Sequence, residues 1–173
     1  MMSLGALGTR SDLWSLCYHD GEYYVARSKP GLGVQSVASL YTFEKRFNPG
    51  RYRATVKAHC TDGVERSFPF GFENHHGWPE EGIITYLLRH GSHYAMSSLN
   101  GKTYETEIPG QDWKKETTLE IDWRIGEVTF IVDGVEVATH RTDMAEGSWF
   151  IETIAHRNPQ EIYAMQKEFK KIC

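Results

Sequence analysis

The densest concentration of chemically capable side chains is the stretch Glu73-Asn74-His75-His76-Gly77-Trp78-Pro79-Glu80-Glu81. Trp78 offers a flat face on which a sugar ring can stack, and His75 or His76 can hydrogen-bond to its hydroxyls, so this loop reads as the rim of a binding groove. The same imidazoles, with His90, His93 and the carboxylates of Glu73 or Glu81, are also potential metal ligands. Two features count against a metal: adjacent histidines on an extended chain point to opposite sides, and no HExxH-type spacing is present. No metal or other cofactor is expected. Cys17, Cys60 and Cys173 are widely separated, odd in number and without CxxC spacing, so they read as free thiols. No His-Asp arrangement around Cys17 or Cys60 marks a nucleophile.

Such groups need a scaffold, and the chain's period supplies one. Turn signals recur at His19-Asp20-Gly21, Asn48-Pro49-Gly50, Asn100-Gly101, Pro109-Gly110 and Asp133-Gly134. Between them residues alternate in the manner of strands with one buried face. Tyr52, Ala54, Val56, Ala58 and Cys60 alternate with Arg51, Arg53, Thr55, Lys57 and His59; Phe68, Phe70 and Phe72 alternate with Ser67, Pro69 and Gly71; Leu119, Ile121 and Trp123 alternate with Glu120 and Asp122. Val128 to Val132 and Val135 to Ala138, joined at Asp133-Gly134, form a hairpin with the turn that twisted strands favour. These features predict an antiparallel all-β sandwich. At the C-terminus a different period enters: Asn158, Pro159 and Glu161 resemble a capped helix start, and Ile162, Met165, Phe169 and Ile172 make an apolar stripe. A docking helix is expected over about 159–172. Trp14, Trp113, Trp123 and Trp149 are expected to fill the core or seal its ends.

Composition narrows the classes of function. The length of 173 residues is that of a single domain, expected here over 1–173. Nineteen basic against 23 acidic side chains give a net charge of −4, so the basic footprint of a nucleic-acid-binding protein is missing. No apolar run approaches the ~20 residues a membrane-spanning helix needs, so no membrane partner is expected. The first twelve residues lack the basic and apolar regions of a secretory signal, and the chain as given is expected to be cytoplasmic. Oligomeric state is not encoded in any of these features.

Three segments, taken in order, resemble the concanavalin A-like lectin and glucanase superfamily, and within it the family 16 glycoside hydrolases. Phe47-Asn48-Pro49-Gly50-Arg51-Tyr52-Arg53-Ala54-Thr55-Val56-Lys57-Ala58 is similar to that family's F-G-x-Y-E-A-R-I-K-A strand. Leu119-Glu120-Ile121-Asp122-Trp123, running on to Phe130-Ile131-Val132-Asp133-Gly134-Val135-Glu136-Val137, is similar to its IEW…YVDG…V hairpin. Trp149-Phe150-Ile151-Glu152-Thr153-Ile154-Ala155 stands where the family has an apolar strand. The resemblance implies a jelly-roll sandwich of two antiparallel sheets whose ligand lies across the concave one. It also implies a strand reading E-x-D-x-E or E-x-D-x-x-E, because a retaining glycosidase needs two carboxylates about 5–5.5 Å apart. Here that strand reads Glu81-Gly82-Ile83-Ile84-Thr85-Tyr86-Leu87-Leu88-Arg89. The acid positions fall on Ile83, Thr85 and Leu87 or Leu88, so the family's catalytic acid motif is absent.

The polar parity of the strands is then the natural ligand face. It collects Arg53, Thr55 and Lys57, Glu73, Thr85 and Arg89, and Glu152 with His156, to which the loop adds His75 and Trp78. Such side chains make multiple hydrogen bonds to sugar hydroxyls when a rigid sheet spaces them. The reading that follows is a non-catalytic, lectin-like carbohydrate-binding module with an oligo- or polysaccharide partner. One alternative is a polysaccharide-active enzyme, either lyase-like with Arg53 or Arg89, His75, His156 and Tyr86, or an atypical glycoside hydrolase with Glu73, Glu81 or Glu152 as acids. The other is a protein-interaction scaffold. An enzyme should hold in its cleft a titratable group far from its ordinary pKa, a lectin should not, and a scaffold should show a filled or flat face.

Overall fold

The computed structural model describes residues 7–11, 15–28, 36–43, 45–60, 65–74, 82–155 and 162–173. Among them run fourteen strands: β1 (Leu7–Ser11), β2 (Ser15–His19), β3 (Tyr24–Ser28), β4 (Ser36–Thr42), β5 (Gly50–His59), β6 (Arg66–Glu73), β7 (Ile83–Arg89), β8 (Ser92–Leu99), β9 (Lys102–Glu107), β10 (Thr117–Arg124), β11 (Glu127–Val132), β12 (Val135–Arg141), β13 (Ser148–Ala155) and β14 (Ile162–Lys171). They form two antiparallel sheets of seven, ordered β1-β4-β13-β6-β7-β8-β9 in the first and β12-β11-β10-β5-β14-β3-β2 in the second. The architecture is a jelly-roll sandwich.

Local chemistry sets the strand ends. His90-Gly91, Asn100-Gly101 and Asp133-Gly134 each place two successive residues at positive φ, between 48° and 82°, which is the two-residue turn whose twist matches antiparallel strands. Asp20 Oδ1 accepts the backbone N–H groups of Glu22 at 2.9 Å and Tyr23 at 2.6 Å, closing the turn between β2 and β3. Between the sheets, β5 contributes Tyr52, Ala54, Val56 and Ala58, β10 contributes Leu119, Ile121 and Trp123, and β6 contributes Phe70 and Phe72, all buried as their alternation requires. Trp113 and Trp149 are buried with them, while Trp14 lies outside the described residues.

Polar pins cross this core and fix the sheets against each other. The Tyr86 hydroxyl, wholly buried, lies 2.6 Å from the carbonyl oxygen of Glu120 and 2.9 Å from that of Ile131, and it accepts the Ile131 N–H at 2.8 Å. Trp149 Nε1 donates to Gln166 Oε1 at 2.7 Å, and Gln166 Nε2 donates to the Pro69 carbonyl at 2.8 Å. His140 of β12 bridges Ser97 and Thr106 of the first sheet through its two ring nitrogens, at 2.9 and 2.8 Å.

The expected C-terminal helix is instead a strand. β14 sits in the middle of the second sheet between β5 and β3, and Ile162, Ala164 and Gln166 alternate into the core. A register shift between Lys167 and Lys170, with Glu168 at φ 56°, then turns Phe169 inward. That bulge, together with a glutamine used as a core pin, converts a period of two into an apparent helical stripe. Asn158, Pro159 and Glu161, which suggested the helix start, lie outside the described residues. A second shift, between Ser67 and Phe70, separates the three phenylalanines of β6: Phe70 and Phe72 face the core, whereas Phe68 packs on the opposite side of the sheet.

Tyr86→Phe keeps the packing and deletes the hydroxyl, leaving buried backbone groups without their partner. The expected loss of stability is about 1–3 kcal/mol, read from urea unfolding; an unchanged midpoint would show that the hydroxyl does not tie the sheets.

Candidate functional site

The inward pins decide what the first sheet shows on its outer side. With Ile84, Tyr86 and Leu88 in the core, β7 presents Ile83, Thr85, Leu87 and Arg89 outward. Register carries the same side across the neighbouring strands. Ser148, Phe150, Glu152 and Ile154 follow on β13, Phe68, Gly71 and Glu73 on β6, Met96 and Tyr94 on β8, and Tyr41 on β4. Phe68, Ile83, Leu87, Met96 and Phe150 form a second buried apolar cluster, with Tyr41, Tyr94 and Ile154 partly buried against it.

Thr85 belongs to this face but is turned into the sheet. It is fully buried, and its hydroxyl donates to carbonyl oxygens of Phe70 and Tyr86, each at 3.0 Å. Gly71 makes room for it: a Cβ there would stand 2.4 Å from Thr85 Oγ1 and 2.7 Å from the Ile84 carbonyl oxygen. Arg89, at the end of β7, is held by Glu105 through two hydrogen bonds of 2.8 and 2.5 Å, and its guanidinium lies 4.9 Å from the centre of the Tyr94 ring. Glu73 and Glu152 are half-buried. Burial pushes the Glu73 carboxyl up from 4.5 to about 8, and the negative charge of Glu152 pushes in the same direction.

Arg53, Thr55 and Lys57 do not join them. All three project from β5, on the outer side of the second sheet, so the expectation that they share one face with Glu73 and Glu152 is not met. There Glu120 is buried, and Arg51 Nε at 2.8 Å and Arg53 Nε at 2.7 Å both donate to it. Burial raises the Glu120 carboxyl, but the two guanidiniums outweigh it and hold it below the ordinary range. Thr55 donates to Glu168 at 3.1 Å, and the Lys57 amine lies 5.6 Å from the centre of the Tyr23 ring. Of the lyase-like grouping, Arg53 lies on the other sheet and Tyr86 is enclosed in the core, whereas Arg89 stands at the end of β7 on the first sheet. His75, Trp78, Glu81 and His156 lie outside the described residues. Among the described residues no group of three His, Cys, Asp or Glu side chains is placed to hold a metal ion.

Tyr41, Tyr94, Phe150 and Ser148 are the members of this face that the pattern of the chain did not single out. For Ser148 and Phe150 the signal was present in β13, where Ser148, Phe150 and Glu152 alternate, but it was obscured by the apolar residues of the opposite parity.

Structural comparison now has a defined geometry to meet. The catalytic domain of an endo-1,3-β-glucanase (laminarinase) from Thermotoga petrophila RKU-1 superposes with a TM-score of 0.65 at 13% identity, covering 94% of this chain and 82% of that one. A prokaryotic β-1,3-1,4-glucanase (lichenase) derived from a mouse hindgut metagenome gives a TM-score of 0.65 at 12% identity, over 94% of this chain and 96% of the other. SCLam, a non-specific endo-β-1,3(4)-glucanase from family GH16, gives 0.66 at 11% identity, over 94% and 84%. The chain folds as a concanavalin A-like jelly roll. No protein-family model matches it, nor does the sequence of any curated protein. At these identities the likeness is one of fold, and the chemistry of this jelly roll has to be read from its own face.

A carboxyl that keeps its proton in the folded state and loses it in the unfolded chain makes stability fall as pH rises through that interval. For Glu73 the interval runs from 4.5 to about 8. The melting temperature of Glu73→Gln minus that of the wild type is expected to grow across this range and level off above it. A difference independent of pH would place Glu73 in an ordinary solvated environment.

Proposed function

We propose that this jelly roll recognises oligo- or polysaccharide on the outer face of its first sheet, and that β7 takes part as a binding strand and not as the bearer of catalytic acids. The observation that carries the reading is the composition of that face on a fold whose solved neighbours include β-glucanases. Apolar Ile83 and Leu87 occupy the positions that the family resemblance reserves for acids. Around them stand two partly exposed tyrosines and two half-exposed glutamates. Aromatic rings present flat surfaces to the apolar faces of sugar rings, and carboxyl groups satisfy pairs of hydroxyls, so the combination suits a hydroxyl-rich ligand with alternating apolar and polar surfaces. On the second sheet Arg51 and Arg53 are bound to Glu120, and Lys167 to Glu22 and Glu116.

One observation favours a second reading, in which the face also does chemistry. The displaced Glu73 carboxyl is the kind of group that separates an enzyme cleft from a lectin groove.

Calorimetric titration with neutral β-glucan, galactan and chitin oligosaccharides and with uronate polymers tests the binding face. Tyr94→Ala is expected to weaken binding about tenfold, equivalent to about 1.4 kcal/mol. Lys57→Ala, on the other sheet, is expected to leave it unchanged. Loss of binding in Lys57→Ala with none in Tyr94→Ala would move the site to the second sheet.

A further inference from the structure

Away from the outer faces, one end of the sandwich holds a pocket. The end of β5, the turn between β7 and β8 and the connection from β9 to β10 enclose a cavity of about 320 Å³, at the small end of the range of ligand pockets. We propose that this pocket binds a single neutral, hydroxyl-rich ring, a monosaccharide unit, with His93, Gln111 and Asp112 as its polar contacts and Leu88 and Trp113 as its apolar floor. The site stands on its own residues and does not depend on the glycan face of the first sheet.

The pocket is built in advance. The connection from β9 to β10 crosses from the first sheet to the second and is tied to both. The Ile108 N–H donates to the His93 carbonyl at 2.7 Å, and the Ala58 N–H donates to the Trp113 carbonyl at 2.7 Å. The Trp113 ring, 1% exposed, is held edge-on by two others: its centre lies 4.6 Å from that of His93 and 5.6 Å from that of Tyr86. Leu88, also buried, lines the pocket with it, and Gly91, at φ 73° in the turn between β7 and β8, adds no side chain to the lining. A lining fixed in this way costs little ordering when a ligand arrives.

Its polar groups are placed to meet hydroxyls. Trp113 Nε1 donates to Gln111 Oε1 at 3.1 Å, which orients the amide and leaves its NH2 group as a donor with no partner among the described residues. Asp112 Oδ1 accepts the Lys114 N–H at 3.2 Å, and Oδ2 keeps its capacity to accept. His93 follows the inward parity of β8, with the buried Ala95 and Ser97. Burial lowers its pKa and outweighs the opposing effect of the Asp112 charge, so near neutral pH the ring offers one N–H donor and one acceptor nitrogen. A hydroxyl both donates and accepts, so a donor amide, an acceptor carboxylate and a neutral imidazole suit a ring that carries several.

Charge separates this ligand from the other classes. The permanently charged side chains of the lining are Lys114 and Asp112, one of each sign, so no excess of positive charge draws in a phosphate or a carboxylate. Among the described residues no three metal-binding side chains come together. A purely apolar ligand would leave the amide and the carboxylate without partners where it displaced their water. A sugar ring has hydroxyls for these groups and C–H groups that pack against Leu88 and Trp113.

Proton–carbon NMR of the histidine rings of the full chain, with His93 assigned by its loss in His93→Gln, reads the pocket directly. The probes are methyl β-glucoside, methyl β-galactoside and N-acetylglucosamine, all neutral, with glucuronate and inorganic phosphate as anions. At least one neutral sugar is expected to move the His93 resonance saturably. Gln111→Ala and Asp112→Ala are each expected to weaken that sugar about tenfold, while Ile125→Ser, at an exposed turn, leaves it unchanged. The wild-type titration is decisive even where a substitution disturbs the loop. A His93 resonance that no neutral sugar moves overturns the proposal, as does one that glucuronate or phosphate moves at lower concentration than every neutral sugar. Sugar binding undiminished in both Gln111→Ala and Asp112→Ala also overturns it. None of these outcomes touches the reading of the first sheet, which Tyr94→Ala tests separately.

Discussion

The hydroxyl of Tyr86 is the contact on which the rest of the structure depends. A phenol oxygen enclosed between two sheets needs partners, and Tyr86 finds them on the backbone of β10 and β11, in the opposite sheet. Satisfying that one group commits β7 to a single parity, since a shift by one residue would move every side chain to the other face. Ile84 and Leu88 accompany Tyr86 inward; Ile83, Thr85 and Leu87 are directed outward. The Trp149, Gln166 and Pro69 chain does the same for β13 and β14, and thereby places Glu152 outside. The character of the outer face is thus a by-product of how the core satisfies its polar atoms.

Charge is distributed between the two faces in a way that follows from this. The second sheet carries a lattice of matched ions, in which a buried Glu120 is stabilised by two arginines and the Lys167 amine is shared by Glu22 and Glu116. The first sheet carries Glu73 and Glu152 beside an apolar cluster, where burial raises the Glu73 carboxyl. A protein keeps such an arrangement at a cost in stability, and displaced carboxyls of this kind cluster at functional sites.

Much of the sandwich was legible in the chain, because one-sided burial writes a period of two. β5, β10 and the hairpin of β11 and β12 are as the alternation predicts. The signal failed where a register shift or a polar core residue broke that period. Glu168 at positive φ and the buried Gln166 made a central strand resemble a helix, and the shift beside Pro69 hid the outward turn of Phe68. For the site, the lack of carboxylates on β7 could be read directly, as could the candidacy of Glu73 and Glu152. Which sheet held Arg53, Thr55 and Lys57 could not, because alternation tells inside from outside but does not tell the outside of one sheet from that of the other. Only strand pairing does.

The central claim is that Glu73 and Glu152 share one face and act on each other. Carbon-13 NMR titration of the glutamate carboxyls, with the Glu73 resonance assigned by its loss in Glu73→Gln, tests it without any ligand. The account predicts a Glu73 midpoint near 8 that falls when Glu152 is replaced by Gln. A midpoint at the ordinary 4.5, unmoved by that replacement, would contradict it.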